Sequence, residues 1–237
     1  MSWVTTFFTS SIGRKLIMSL TGLFLIIFLF VHLIGNLQLL YGDGGQAFNI
    51  YAKFMTTNPF ITFTSYGLYA GILLHAIQGI ILWRKNATSR PQKYAVASKS
   101  TSSYASRNMG WLGVIIFIFL VIHMAQFWFK MKFGDYSWFP TSIESVPKVM
   151  YDGVQVKNLY YTVSQAYANP FFVIFYVLSM AVMGVHLYHG FGSAFQTLGL
   201  NHKKYTPFIN MLGKGYSILI PLGFAIIPIY MFFTLTR

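Results

Sequence analysis

Residues 169–190 read NPFFVIFYVLSMAVMGVHLYHG, and residues 58–79 read NPFITFTSYGLYAGILLHAIQG. In each stretch an Asn-Pro pair gives a helix-start signal, with Asn as N-cap and Pro in the first helical position. His186 follows Pro170 by sixteen residues, His75 follows Pro59 by sixteen, and a glycine comes four residues after each histidine. At about 1.5 Å of rise per residue, both imidazoles lie about 24 Å from the start of their helices.

Two further histidines follow the same spacing rule from the opposite end. His32 lies eighteen residues after Arg14 and His123 sixteen after Arg107, and a glycine, Gly22 or Gly113, precedes each histidine by ten residues. These positions are about 24–27 Å from the basic ends of their helices. The spacing therefore predicts two depth-matched pairs, an outer pair of His32 with His123 and an inner pair of His75 with His186. It also indicates a two-hairpin internal repeat.

The histidines fall in long apolar segments. Five segments are long enough for membrane-spanning helices, and they are named spans I to V: residues 16–41, 61–83, 110–129, 170–195 and 215–235. None contains Asp or Glu, and only 9% of the 237 residues are charged, against about 25% in soluble domains. The sequence therefore predicts one all-α integral membrane domain over residues 1–237 and excludes a soluble enzyme.

Charge sets the predicted orientation. Eleven Lys and Arg residues precede span I or lie between spans II and III or IV and V, and six lie on the other side. The positive-inside rule places the N-terminus in the cytoplasm. The net charge of +13 is then explained by topology and attraction to anionic membrane lipid, so no nucleic-acid partner is predicted.

Ionisable residues inside a membrane indicate function. Two facing imidazoles can hold a haem iron, and small residues allow a helix to approach the macrocycle. We therefore expect spans I to IV to form a four-helix bundle around two haems, with structural histidines as the open alternative. Zinc and di-metal centres are disfavoured because the spans hold no acid and the chain no cysteine. A proton relay is disfavoured because relays usually include carboxylates.

The fifth histidine within a span is His189, one turn after His186 and without a depth-matched partner. It is a candidate to contact a haem propionate, a quinone or a neighbouring helix. His202 lies in a basic loop and is predicted to be a surface residue.

The chain resembles a known family in several short motifs. They are Ser11-Ile12-Gly13-Arg14-Lys15, Leu20-Thr21-Gly22, Val31-His32, His75, His123, and the run from His186 to Phe191. Together they resemble the cytochrome b membrane-anchor subunit of succinate:quinone oxidoreductase (succinate dehydrogenase or fumarate reductase, respiratory complex II), of the single-subunit, five-helix, di-haem type. The resemblance covers essentially the whole chain.

The resemblance implies two haem b groups, the inner held by His75 and His186 and the outer by His32 and His123. It favours His186 over His189 as ligand. It also implies a flavoprotein with FAD and an iron–sulfur subunit docked on the cytoplasmic face of a bacterial inner membrane. The dicarboxylate reaction of the tricarboxylic acid cycle would occur on the flavoprotein, and this chain would transfer electrons between the iron–sulfur subunit and quinone.

One departure concerns acidic residues. Some family members carry a glutamate near the haem ligand of the fourth helix, where residues 181–186 here read AVMGVH. A compensating proton pathway is therefore not expected. For the quinone, the hypothesis is an outer menaquinone site near His32, with Asp43, Asn49, Tyr51 and Lys53 as candidate contacts.

Three alternatives remain open at this stage. The chain could be the cytochrome b anchor of another respiratory enzyme, such as a hydrogenase or formate dehydrogenase. It could be a transporter or structural anchor whose histidines only pack, or a quinone anchor without haem.

Overall fold

A computed structural model describes residues 2–88, 104–134 and 146–235. The helices are α1 (Trp3–Thr9), α2 (Ser11–Leu37), α3 (Gln46–Thr57), α4 (Pro59–Thr88), α5 (Tyr104–His123), α6 (Lys130–Phe133), α7 (Leu159–Tyr167), α8 (Pro170–Thr197) and α9 (Thr206–Leu235). A 3₁₀ turn, Gln38–Leu40, follows α2, and a π-helix, Met124–Phe129, joins α5 to α6. Strands β1 (Lys148–Tyr151) and β2 (Val154–Lys157) form a hairpin.

The predicted all-α membrane architecture is confirmed in the described ranges. Five helical segments are long and apolar enough to cross a membrane: Ser11–Leu40, Pro59–Asn86, Tyr104–Phe133, Pro170–Thr197 and Thr206–Leu235. Each is longer than its predicted span, because apolarity marks only the hydrocarbon-crossing part while the backbone hydrogen bonds continue into the polar flanks. Among the charged residues, Arg90, Lys93, Lys99, Asp135, Glu144 and Arg237 lie outside the described residues.

The Asn-Pro signals begin helices as predicted. The side-chain oxygen of Asn58 accepts hydrogen bonds from the backbone N–H groups of Phe60 at 3.0 Å and Ile61 at 3.3 Å. That of Asn169 accepts one from Phe171 at 3.0 Å. Because these bonds satisfy N–H groups that have no partner within the helix, the starts of α4 and α8 are fixed locally.

Large apolar side chains cover the outside of the long helices. Phe60 and Phe63 of α4 are each 77% exposed, and Leu178 of α8 is 62% exposed. Water would disfavour so much exposed apolar surface, whereas lipid tails accommodate it. This distribution agrees with a multi-pass membrane protein.

The chain divides into two compact units. Unit 1 takes the described residues within Met1–Phe28, Tyr66–Ile115 and Val182–Leu219, and unit 2 those within Leu29–Ser65, Ile116–Ala181 and Ile220–Arg237. All five long helices contribute segments to both. Unit 1 contains the predicted inner histidine pair, and unit 2 contains the predicted outer pair.

In unit 1, α9 is attached to α2 by a polar contact. The hydroxyl of Tyr216 donates a hydrogen bond of 2.5 Å to the carbonyl oxygen of Ile26. In unit 2, α9 approaches α2 through Gly223, where a Cβ atom would come within 2.8 Å of the Leu33 side chain. The fifth helix, which contains no histidine, therefore packs closely on the first in each unit.

A small polar layer in unit 2 combines α3, the β-hairpin and α7, and we call it the cap. The hairpin turns at Asp152 and Gly153, both with positive φ, as in the two-residue Asp-Gly turns that suit hairpin twist. The sequence predicts an aromatic outer loop, residues 130–169, that packs on the helices. In its described part this is confirmed, because α7 contacts the π-helix and Lys157 donates a 2.6 Å hydrogen bond to the carbonyl of Met131.

Asn49 lies at the centre of the cap and is 1% exposed. Its amide nitrogen donates to the Tyr151 hydroxyl at 3.1 Å and to the Asn158 side-chain oxygen at 3.0 Å. Its oxygen accepts from the backbone N–H of Tyr160 at 2.9 Å. One side chain therefore connects α3 to the hairpin and to the start of α7.

We expect Asn49→Ala to destabilise the cap by about 2–4 kcal/mol, because it removes three hydrogen bonds and takes away the acceptor of the Tyr160 backbone N–H. Proteolysis of the hairpin in detergent-solubilised protein measures the effect. Gln155→Ala, at an exposed position of β2, is the control. Equal cleavage rates for the two variants would show that Asn49 does not hold the cap.

Candidate cofactor site: two histidine pairs

The outer histidines His32 and His123 lie next to each other in unit 2. His32 comes from α2 and His123 from the last residue of α5, and their ring centroids are 5.9 Å apart with the ring planes at 85°. Phe119 stacks on His123 at 5.6 Å, and Phe224 lies 5.7 Å from His32. The two imidazoles therefore face each other in an aromatic environment.

The inner histidines His75 and His186 are adjacent in unit 1. Their ring centroids are 6.3 Å apart, with an interplanar angle of 65°. His189, one turn further along α8, has a 3.3 Å contact between its Nε2 and the Ser193 hydroxyl. His186, rather than His189, is thus the ring that faces His75.

The separations suit two ligands on one metal ion. Bonds from imidazole nitrogen to first-row metals are about 2 Å long, so two axial imidazoles place their ring centroids about 6 Å apart. Both observed separations, 5.9 and 6.3 Å, are close to that value. Each of the four histidine residues is half-buried. No group of three or more His, Cys, Asp or Glu side chains suited to a metal ion occurs among the described residues.

The hydrogen bonds of His75 indicate its tautomer. Its Nδ1 lies 3.1 Å from the hydroxyl oxygen of Thr21, and that hydroxyl donates its hydrogen to the carbonyl of Ile17 at 2.7 Å. A threonine hydroxyl has one hydrogen, and with that hydrogen directed to Ile17 the hydroxyl oxygen accepts from His75. This assignment places the proton on Nδ1 and leaves the Nε2 lone pair available for a metal.

The same reasoning applies to His123. Its Nδ1 lies 3.3 Å from the hydroxyl of Tyr176, and that hydroxyl donates to the Gln126 side-chain oxygen at 2.6 Å. The short distance suits O–H···O rather than N–H···O geometry. Toward His123 the phenol oxygen is then an acceptor, and Nε2 again keeps its lone pair.

His32 and His186, the other members of the two pairs, have different surroundings at Nδ1. Nδ1 of His32 has a long contact of 3.4 Å with the side-chain nitrogen of Asn36, which also donates to the His32 carbonyl at 2.7 Å. Nδ1 of His186 is buried and has no hydrogen-bond partner among the described residues. At Nδ1, His75 and His123 therefore contact hydroxyl oxygens, whereas His32 contacts an amide nitrogen.

Glycines allow the close approach of helices at the inner pair. A Cβ on Gly22 would lie 3.3 Å from Cε1 of His75, and one on Gly113 would lie 4.0 Å from Cε1 of His186. The sequence associates these glycines with His32 and His123, ten residues away along the same helices. The contacts instead place both beside the inner pair, because α2 and α5 each pass that pair before they reach their own histidine.

The glycine contacts also make the internal repeat visible in three dimensions. A Cβ on Gly79 would lie 3.3 Å from the methyl carbon of Met18, and one on Gly190 would lie 3.7 Å from that of Met109. Met18 and Met109 each precede the close-packed glycine of their helix by four residues. The α2–α4 and α5–α8 contacts in unit 1 are thus equivalent.

The repeat explains the unpartnered nitrogen of His186. Thr21, which accepts the Nδ1 proton of His75, corresponds to Leu112 in the second half, since each directly precedes its close-packed glycine. Leucine offers no acceptor. Similarly, Gln78 corresponds to His189, three residues after the inner histidine, and the Gln78 side-chain oxygen is buried without a partner among the described residues.

The quinone candidates named from the sequence lie in or beside the cap. Both carboxylate oxygens of Asp43 accept backbone N–H groups, from Gly45 at 2.9 Å and Ala47 at 2.8 Å, which caps the start of α3. Lys53 donates to the Gln155 carbonyl at 3.2 Å, and Asn49 is the buried centre of the cap. Their contacts are those of structural residues, and their role toward quinone stays a prediction.

Two tyrosines outside the spans have perturbed acidity. Tyr51 packs against Gly35, and burial raises the pKa of its phenol. Burial also raises the pKa of Tyr167, the last residue of α7, above the usual range. Both phenols are therefore neutral hydrogen-bonding groups at physiological pH.

Unit 1 contains several basic side chains. Arg84, Lys203 and Lys204 are exposed, and Lys85 donates to the Ser11 hydroxyl at 3.1 Å. His202 is exposed, as expected, and stacks on Tyr205. Most of the predicted connection between spans II and III lies in residues 89–103, outside the described residues.

Sequence reasoning missed Thr21, Tyr176 and the π-helix that follows His123. A signal for Tyr176 was present, because a phenol hydroxyl within an apolar span must find a polar partner. No local signal pairs it with α5, since the contact joins residues 53 positions apart.

Comparisons of the chain with protein-family models, with curated proteins and with solved structures find no match. The resemblance to the cytochrome b anchor family therefore depends on the motifs quoted from this sequence alone.

Gly22→Leu is expected to destabilise the protein by about 1–3 kcal/mol through overpacking against His75. Gly67→Leu is the matched control, because nothing lies within 4 Å of a Cβ at Gly67. Leucine has a higher helix propensity than glycine, so the control should be neutral or more stable. Thermal unfolding in detergent compares the two, and equal midpoints would contradict the close packing at Gly22.

Proposed function

We propose that this chain is the membrane-anchoring di-haem cytochrome b subunit of a succinate dehydrogenase or fumarate reductase complex, which passes electrons between an iron–sulfur subunit and a membrane quinone. The observation that carries the proposal is the facing arrangement of two histidine pairs, with ring centroids 5.9 and 6.3 Å apart. Packed aromatic rings elsewhere in the chain have similar separations, so the matched depths of the four histidines along their helices support the proposal together with the distances. The family resemblance of the motifs adds the identity of the complex.

In this proposal His32 and His123 hold the outer haem, and His75 and His186 hold the inner haem. Bound haem would supply a one-electron carrier inside the apolar spans. Thr21 and Tyr176 orient His75 and His123 through Nδ1 and leave Nε2 for iron. Gly22 and Gly113 keep the space beside the inner imidazoles free of side chains.

The lack of acids in the spans supports a division of labour between subunits. The described spans contain no carboxylate to take part in dicarboxylate or hard-metal chemistry. We therefore assign that reaction to a flavoprotein with FAD, which docks with the iron–sulfur subunit on the basic cytoplasmic side. The proposal includes a cytoplasmic N-terminus, a bacterial inner membrane and menaquinone as the quinone.

The purified chain, expressed with haem available, should contain about two b-type haems, since each pair supplies both axial ligands. A reduced-minus-oxidised spectrum with pyridine haemochrome quantitation measures the ratio. His75→Ala and His186→Ala should each remove the inner haem, and His32→Ala and His123→Ala the outer one. His189→Ala is the control and should retain both, because His189 does not face His75.

The outcomes separate the competing functions. Folded wild-type protein without a Soret band would reject the haem proposal. The histidines would then have only a packing role, or the chain would be a quinone anchor without haem. Two haems together with co-purifying hydrogenase or formate dehydrogenase subunits would reject the identity of the complex but not the haem sites.

Asp43 provides a test of the quinone hypothesis. In the assembled complex, Asp43→Asn removes a charged hydrogen-bond acceptor. If Asp43 contacts the quinone, we expect the quinone affinity to fall about tenfold. Asp152→Asn is the control, because the hairpin turn accepts either residue at its positive φ. Full quinone reductase activity with unchanged quinone affinity in Asp43→Asn would remove Asp43 from the site.

A further inference from the structure

His123 is set apart from the other histidines by a continuous hydrogen-bonded chain of side chains. Its Nδ1 contacts the hydroxyl of Tyr176 at 3.3 Å, and the Tyr176 hydroxyl donates to Gln126 at 2.6 Å. Gln126 in turn lies only three residues after His123 on the same chain segment. Two helices, α5 with its π-helical continuation and α8, are thereby connected through the ring of a predicted haem ligand.

The π-helix places Gln126 in this network. Met124–Phe129 is π-helical and begins directly after His123. In an α-helix, residues i and i+3 share a face, and the wider π turn changes the direction in which the following side chains project. Because π turns cost stability, they persist mainly where function retains them.

The network is shielded from water by aromatic rings. Tyr176 is 4% exposed, and Phe119, Phe127 and Tyr167 are each under 9% exposed. Tyr167 packs edge-on against Tyr176 with centroids 5.2 Å apart. In such an environment an unpaired polar group is costly, so the direction of each hydrogen bond is well determined.

We propose that Tyr176, itself oriented by Gln126, is a positioning residue that holds His123 in its Nδ1–H form and sets the reduction potential of the outer haem. This inference rests on the proposed function. An acceptor on Nδ1–H increases the electron donation of the ligand through Nε2, and stronger donation favours ferric over ferrous iron. The Tyr176 hydroxyl therefore keeps the potential of the outer haem lower than an apolar neighbour would.

The effect belongs to one haem only. Tyr176 corresponds in the internal repeat to Ser65, whose hydroxyl donates to the Ile61 carbonyl of its own helix. Within the inner pair, Nδ1 of His186 has no partner among the described residues, and His75 uses Thr21. A change at Tyr176 should leave the inner haem unaffected.

Redox titration of the haem-loaded chain tests the inference. Tyr176→Phe removes the acceptor and should shift the outer potential to a more positive value, with the outer haem identified as the one missing from His123→Ala. Tyr167→Phe is the matched control, because it deletes the same hydroxyl from the neighbouring buried ring and should shift neither potential. Gln126→Leu is the second variant. It removes the acceptor of the Tyr176 O–H group, so the phenol oxygen accepts more weakly from the Nδ1–H of His123, and the outer potential should again rise.

The possible results of these titrations distinguish the inference from the proposed function. Two haems with an outer potential unchanged in Tyr176→Phe and Gln126→Leu would overturn the inference and leave the proposed function intact. Equal shifts in Tyr167→Phe and Tyr176→Phe would assign the effect to aromatic packing and also overturn it. If Tyr176→Phe loses the outer haem, the reduction potential of the outer haem in Gln126→Leu tests the inference instead. A more positive value supports it, and an unchanged value overturns it. Wild-type protein without haem would instead reject the proposed function.

Discussion

The need to satisfy polar groups inside an apolar environment organises this protein. Hydrocarbon offers no hydrogen-bond partners, so an imidazole within a span must obtain them from the chain or from a bound group. His75 and His123 obtain theirs at Nδ1 from Thr21 and Tyr176. The helices are consequently fixed in rotation as well as in position, because each contact joins residues more than 50 positions apart. A glycine opposite an inner ring provides the room that this close approach requires.

The two histidine pairs are similar in separation but not in surroundings. The inner pair lies against glycines of α2 and α5, and the contacts of Met18 with Gly79 and of Met109 with Gly190 repeat across the two halves. The outer pair lies among phenylalanines and a tyrosine, beside a π-helix. An internal repeat supplied two equivalent scaffolds, and differences at single positions, such as Thr21 against Leu112, make them chemically distinct. If the two proposed haems are bound, such differences are a direct means of giving them different reduction potentials.

The cap shows why polar residues near a predicted site need tertiary information. Asp43, Asn49 and Lys53 have the chemistry expected of a quinone contact. In the structure their polar groups bind backbone and side-chain atoms of α3, the hairpin and α7. The same hydrogen-bonding capacity serves either purpose, and sequence alone does not distinguish them.

What the sequence determined is local. Apolar length gave the five spans, Asn-Pro pairs gave the starts of α4 and α8, and the spacing of histidines from those starts predicted which rings would be adjacent, because rise per residue in a helix is fixed. The tertiary structure alone decided which helix faces meet. It placed Gly22 and Gly113 beside the inner rather than the outer histidines, selected Tyr176 as the partner of His123, and left His186 without an acceptor opposite Leu112. Helix rotation and inter-helix contact depend on packing between distant segments, and no periodicity within one segment encodes them.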